Sequence, residues 1–112
     1  MSTKTIKVLI IEPGNEPYAA DIPSGLESLQ KQVGGLIQVL YPFPCDEPAA
    51  ILCNEEGKLL GLPWNRPLFD EDGKMYDIIA GTFLVVGLTE DDFGSLTDEQ
   101  IRRYTEFFQL YF

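Results

Sequence analysis

The first half of the chain alternates short apolar runs with turn-forming residues, and this pattern predicts strands. Thr5–Glu12 is apolar after a polar start, which is typical of a strand inside a sheet. Pro13-Gly14-Asn15 is a turn signal, and Pro17–Ile22 follows it as a second strand placed to form a hairpin with the first. Two more strands are predicted over Leu36–Phe43 and Ala49–Asn54.

The second half is less regular. Glu55-Glu56-Gly57 predicts a tight turn and hence a hairpin after the fourth strand. Two prolines in Gly61–Leu68 exclude a regular helix or a central strand there, and Asp70–Gly73 reads as an acidic turn. Asp77–Leu88 is the most apolar stretch and predicts one buried strand, bent at Gly81.

Two segments have the spacing of amphipathic helices. Ser24–Val33 starts with a serine and carries Glu27 three residues later, which predicts a capping box, and the Gly34-Gly35 pair ends the segment. Its apolar stripe consists of Leu26, Leu29 and Val33. The second helix begins at Thr97, with Gln100 completing another capping box. Its apolar face consists of Ile101, Tyr104, Phe108 and Tyr111, widened by Phe107 and Leu110.

Together these elements predict one α+β domain over residues 1–112. We expect a mostly antiparallel sheet of about five to six strands with two helices packed against it. The C-terminal helix is more apolar than one face requires, since Phe107 and Phe108 point in different directions. A core usually covers such residues, and the alternatives are a homodimer or a partner groove formed by this aromatic helix end.

Charge and composition exclude several functions. The 112 residues hold 18 acidic and 8 basic side chains, a net charge of −10, and no histidine. Without histidine there is no Ser-His-Asp triad or Cys-His dyad, so we expect no enzyme. The acidic balance argues against direct nucleic-acid binding, because phosphate contacts need lysine and arginine. It favours a basic protein partner, since charge of one sign steers association.

The cysteines and the N-terminal sequence indicate a cytoplasmic protein. The first residues lack the apolar stretch of a signal peptide, and no run approaches the length of a membrane span. We therefore expect Cys45 and Cys53 to be reduced thiols, with Cys53 filling the core and Cys45 in a proline-rich turn. Neither the cysteines nor the acidic turns have metal-ligand spacing, so no metal or other cofactor is predicted.

The polar residues around the proline-rich loop are the candidate site. Arg66 is a planar five-donor group suited to a carboxylate or phosphate, and Asn54 and Asn65 offer amide donors and acceptors. With Glu55 and Asp77 beside them and Trp64 as a floor, these residues could form a pocket for a small anionic ligand. The structural alternative is that the asparagines hold turns and that Arg66 pairs with Asp77 or with the Asp70–Asp72 turn.

Several motifs carry a family resemblance. They are E-P-G-x-x-P-Y at 12–18, Y-P-F at 41–43, C-N-E-E-G-K-L at 53–59, G-L-P-x-N-R-x-L at 61–68 and D-I-I-x-G-T-F-L-V-V-G at 77–87. In this order they resemble the family called domain of unknown function 3846. The resemblance implies a small protein of phages, plasmids or conjugative elements of Firmicutes, with an accessory or regulatory role. It implies no activity, cofactor or catalytic residue, and it nominates Asn54, Asn65, Arg66, Asp77 and Gly81 for mutation.

Overall fold

Most of the predicted strands and both helices are present in the structure. A computed structural model describes residues 4–43, 47–90 and 92–109. The elements are β1 (Thr5–Ile11), β2 (Tyr18–Pro23), α1 (Leu26–Val33), β3 (Ile37–Leu40), β4 (Ala49–Asn54), β5 (Trp64–Phe69), β6 (Met75–Ala80), β7 (Phe83–Leu88), β8 (Phe93–Gly94) and α2 (Asp98–Phe107).

The larger sheet is antiparallel and has six strands. Its order is β2-β1-β7-β4-β3, and the two-residue β8 pairs with the end of β7. β1 and β2 form the predicted hairpin, with Thr5 opposite Pro23 and Ile10 opposite Tyr18. β5 and β6 form a separate two-stranded antiparallel sheet. The predicted α+β class is therefore confirmed.

Both faces of the large sheet are covered, which explains why its central strands are apolar throughout. Every residue of β4 is buried, as is nearly all of β7. On one face α1 packs Leu29 and Val33 against strand residues such as Leu52. On the other face lie residues of the small sheet and of α2: Leu68, Ile79, Tyr104 and Phe108.

Most of the proline-rich segment forms strand β5, which is not a central strand because it belongs to the two-stranded sheet. Pro67 lies in β5, and the pairing of β5 with β6 has register shifts on either side of the Pro67–Leu68 pair. Both strands of a two-stranded sheet have a free edge, so a residue without a backbone N–H is tolerated there. The exclusion of a central strand is confirmed.

The apolar stretch predicted as one strand is two strands in different sheets. β6 belongs to the small sheet and β7 to the large one, and the chain turns between them at Gly81, where φ is +86°. A side chain at this position would also place its Cβ 2.7 Å from Cδ1 of Leu62. The bend predicted at Gly81 is therefore confirmed, but it separates two strands of different sheets, and glycine suits it because other residues adopt this φ only with strain.

The predicted hairpin after β4 is wrong. Residues 55–61 form consecutive turns, held by backbone bonds such as Leu60 N–H to Glu56 O, and β4 pairs with β3 and β7 instead. β3 is also shorter than the predicted Leu36–Phe43, and 93–94, predicted as loop, pair briefly with β7. Cys45 lies outside the described residues.

The two helix starts differ in how well local sequence predicted them. Thr97 caps α2, and its hydroxyl and the Gln100 side chain form the predicted capping box at 3.1 and 2.9 Å. α1 starts later than predicted: Gly25 is its N-cap and no side chain caps it, so the Ser24 capping box is wrong. Leu26 is 62% exposed, so the buried stripe of α1 consists of Leu29 and Val33 alone.

Candidate functional site

The structure does not bring the six predicted site residues together: four of them line two separate regions, and Trp64 and Asn65 line neither. Asn54, Glu55 and Asp77 line a cavity of about 140 Å³ between β4 and β6. Arg66 lines a separate groove between β5 and α2. Trp64 is 63% exposed and does not form the floor of the cavity.

The polar residues of the cavity already bond to one another or to the backbone. Asp77 pairs with Lys58, a cavity residue that the sequence did not single out. The Asn54 Nδ2 donates to the Val33 carbonyl at 3.1 Å, and its Oδ1 accepts from the Glu56 N–H at 2.8 Å. Asn54 thereby ties the end of α1 to the turn after β4, which is the role that the structural alternative gave it.

Cys53 lines the same cavity but is a core residue, as predicted. It is 4% exposed, and its thiol lies 3.7 Å from the Gln38 carbonyl oxygen. Burial, followed by the Asp77 carboxylate, raises the pKa of Cys53 to about 11. A thiol that stays protonated at neutral pH is a poor nucleophile, so this site gives no support to covalent chemistry.

Asn65 fastens the corner between the two sheets. Its Nδ2 donates to the Ile11 carbonyl at 2.9 Å and to the Gly81 carbonyl at 2.8 Å. One side chain thus connects the end of β1, strand β5 and the bend between β6 and β7. Its amide hydrogens are therefore engaged in holding the fold.

Arg66 is buried and connects three segments of the chain. Its Nε donates to the Phe108 carbonyl at 2.9 Å, one terminal nitrogen donates to the Asn15 carbonyl at 2.6 Å, and the other donates to Asn65 Oδ1 at 2.8 Å. Burial lowers the pKa of Arg66, while the Glu16 carboxylate acts to raise it. The predicted pairing with Asp77 or with the Asp70–Asp72 turn is wrong, because β5 directs this side chain inward, toward α2 and the β1–β2 turn.

The groove beside Arg66 is larger than the cavity and mainly apolar. It has a volume of about 510 Å³ and is lined by Arg66, Pro67, Phe69, Phe107, Phe108 and Gln109. Phe69 and Phe107 stand at its edges and are 51% and 61% exposed. The sequence analysis pointed to Phe107, because α2 has more aromatic residues than one buried face requires. No local sequence pattern pointed to Phe69.

The predicted apolar face of α2 is confirmed only where α2 meets the sheet. Tyr104 and Phe108 are 5% and 2% exposed, while Phe107 stacks edge-on against Phe108 with ring centroids 4.8 Å apart and stays open to solvent. Burial, followed by the nearby Glu47 carboxylate, raises the pKa of Tyr104. Tyr111 and Leu110 lie outside the described residues.

Acidic side chains are exposed on the turn that joins β5 and β6. Asp70, Glu71 and Asp72 are all exposed, and Asp70 Oδ1 accepts from the backbone N–H groups of Asp72 and Lys74, both at 2.9 Å. These bonds order the turn. Within the described part of the chain, no three potential metal ligands are grouped closely enough to hold an ion.

Comparison with known proteins identifies the family without identifying an activity. None of the helices formed by the described residues has the length and apolar character that crossing a bilayer requires. No curated protein and no solved structure matches the chain. Residues 6–109 match a family described as Domain of unknown function (DUF3846). Because this match covers nearly the whole sequence, the chain belongs to the domain of unknown function 3846 family.

Proposed function

We propose that this protein is a non-catalytic binding protein that holds a basic protein partner against its acidic surface. The observation that carries the proposal is the placement of its charge. The net charge of −10 belongs to a chain whose acidic side chains are mostly exposed on ordered elements, among them Asp21, Glu27, Glu71, Glu90 and Glu106. Such a surface attracts a partner of opposite sign and speeds its association.

Several of the eight positive charges are engaged by carbonyls or carboxylates of the chain itself. Arg66 is buried against backbone carbonyls, and Lys58 pairs with Asp77 in the wall of the small cavity. Arg103 lies 3.3 Å from the Glu47 carboxylate. The acidic charge is also spread along the sequence, since residues 1–56 hold 8 acids and 3 bases and residues 57–112 hold 10 and 5. The negative charge is therefore distributed over the surface of the folded chain and is not confined to an acidic tail.

The family resemblance gives this binding a setting. We place the protein in the cytoplasm of a bacterium that carries a phage, plasmid or conjugative element, as an accessory or regulatory factor. Its partner would be a host or element-encoded protein with a basic surface. Direct binding to nucleic acid is disfavoured, because DNA and RNA carry the same sign of charge as the protein.

The alternative, binding of a small anionic metabolite by Asn54, Asn65 and Arg66, has weaker support. The amide nitrogens of both asparagines donate to backbone carbonyls, and at least three of the five Arg66 donors face protein acceptors. A ligand at these residues would have to break bonds that hold the fold. We therefore favour the protein partner.

The test is capture of partners from the lysate of a host bacterium, followed by binding to each purified candidate. We compare the wild type with a variant carrying D70N, E71Q and D72N, at low and at moderate salt. We expect captured proteins with basic surfaces, affinities that fall with salt, and weaker binding by the variant, because its local charge is less negative by three.

A matched control variant has the same total charge, but three acidic residues at other positions are neutralised. The triple variant D21N, E27Q and E90Q removes the same charge from other exposed positions. Equal weakening by both triple variants would indicate general attraction by net charge. Binding of purified candidates that ignores salt and both triple variants would refute the proposal.

A further inference from the structure

The groove between β5 and α2 leaves large apolar side chains open to solvent. Phe69 at the end of β5 and Phe107 at the end of α2 are each more than half exposed, although Phe108 between them is 2% exposed. The volume of about 510 Å³ lies within the ~300–1,000 Å³ typical of ligand pockets. The groove is therefore large enough to receive one or more side chains of a binding partner.

The chemistry of the groove suits an apolar group rather than an anion. Arg66 is its charged lining residue, and that guanidinium is engaged with the carbonyls of Phe108 and Asn15 and with Asn65. What the groove presents is the exposed rings of Phe69 and Phe107, with the buried Phe108 beside them. Desolvated aromatic pockets of this kind are where partner side chains contribute most to binding.

The charged residues next to the groove indicate which side chains of the partner would fit beside the inserted apolar group. Phe69 leads directly into the ordered acidic turn Asp70–Asp72, and Glu106 precedes Phe107 on α2. The basic residues near Glu106 on α2 are Arg102 and Arg103, and Arg103 lies 3.3 Å from the Glu47 carboxylate. The acidic turn favours lysine or arginine beside the inserted group. A second copy of this chain is disfavoured as occupant, because each copy carries −10.

We infer that the groove between β5 and α2 receives an apolar side chain from a basic segment of the partner protein. Lysine or arginine residues flanking that side chain lie against the Asp70–Asp72 turn. This inference rests on the proposed function, and it adds a specific contact to it: the acidic surface attracts the partner, and the groove selects among basic partners.

The test uses two fluorescent peptides of equal length and equal positive charge. One combines lysine with leucine and the other combines lysine with glutamine, and binding is followed by fluorescence anisotropy. We expect the wild type to prefer the leucine peptide by about tenfold, which corresponds to ~1.4 kcal/mol and is typical of one anchoring side chain. F107S and F69S each abolish this preference and leave the affinity for the glutamine peptide unchanged.

The control variant is L59S. Leu59 is 84% exposed in the turns that follow β4, so its replacement removes an exposed apolar side chain elsewhere. It should keep the full preference for leucine. Thermal melting checks that F107S and F69S still fold, and two independent variants keep the test valid if one of them does not.

The outcomes separate this inference from the proposed function. If both peptides bind the wild type equally, or if F69S and F107S keep the preference, the groove inference is overturned while attraction by the acidic surface stands. If neither peptide binds at low salt, the proposed function fails as well. Two results would assign the groove to the chain itself and so overturn the inference. The first is a dimer, detected by sedimentation, that F107S dissociates. The second is a tenfold gain in affinity for the leucine peptide when residues 110–112 are deleted.

Discussion

Replacing Arg66 with alanine removes the side chain that joins the β1–β2 turn, strand β5 and the end of α2. Three hydrogen bonds are lost, at 2.6 to 2.9 Å, and the carbonyls of Asn15 and Phe108 lose a charged donor. Each bond to a charged group contributes about 1.5–3 kcal/mol. Each of the two backbone carbonyls left without a donor costs about 1–3 kcal/mol, so the expected total is about 2–6 kcal/mol.

We expect R66A to lose about 3 kcal/mol, in the lower half of that range, because the adjacent groove admits water to the freed carbonyls. For a chain of this size that loss lowers the melting temperature by roughly 12 °C, at about 4 °C per kcal/mol. Circular dichroism melting and urea unfolding measure both quantities. K74A is the control, since the Lys74 side chain is exposed and should move the melting temperature little.

R66A also separates the two roles considered for Arg66. The expected result is a large loss of melting temperature, with binding of the lysine–glutamine peptide intact below the melting point. A melting temperature within about 3 °C of the wild type would refute the reasoning, because the three bonds would then contribute under 1 kcal/mol. Loss of ligand or partner binding with such a small change would instead support the anionic-ligand pocket.

Three further predictions concern local features of the fold. G81A should lose about 2–3 kcal/mol of unfolding free energy in urea, because the backbone there is left-handed and the new Cβ would also clash with a neighbouring side chain. G14A, at φ +77° but in open space, should lose about 1 kcal/mol. Equal losses for the two variants would contradict this prediction. T97A should lose about 1 kcal/mol of unfolding free energy and S24A almost none, since Thr97 caps a helix and Ser24 does not. A comparable loss in S24A would instead support the capping box predicted at Ser24. Native Cys53 should react with iodoacetamide near pH 8 far more slowly than the urea-unfolded chain, measured by peptide mass spectrometry, and fast native labelling would argue against its burial. Because the pKa of Cys53 is raised to about 11 in the folded state, the unfolded thiol loses its proton first, so this group lowers stability as pH rises from about 9 toward 11.

The sequence determined the features that depend on neighbouring residues or on burial alone. The strands around Ile6–Ile11 and Ala49–Asn54 follow from apolar runs long enough to cross a sheet covered on both faces. The α2 cap follows from Thr97 and Gln100, three residues apart. The antiparallel pairing of β1 with β2 follows from the short turn between them, and the net charge follows from counting.

Tertiary structure decided what depends on residues far apart in the chain. Asp77–Leu88 is mostly apolar, and the same pattern fits one bent strand or two strands, so only packing showed that the chain passes from one sheet to the other at Gly81. The acceptors of Arg66 at Asn15 and Phe108 are 51 and 42 residues away, beyond any local pattern. The aromatic groove depends on the same kind of pairing, since β5 and α2 meet only because both pack on one face of the large sheet.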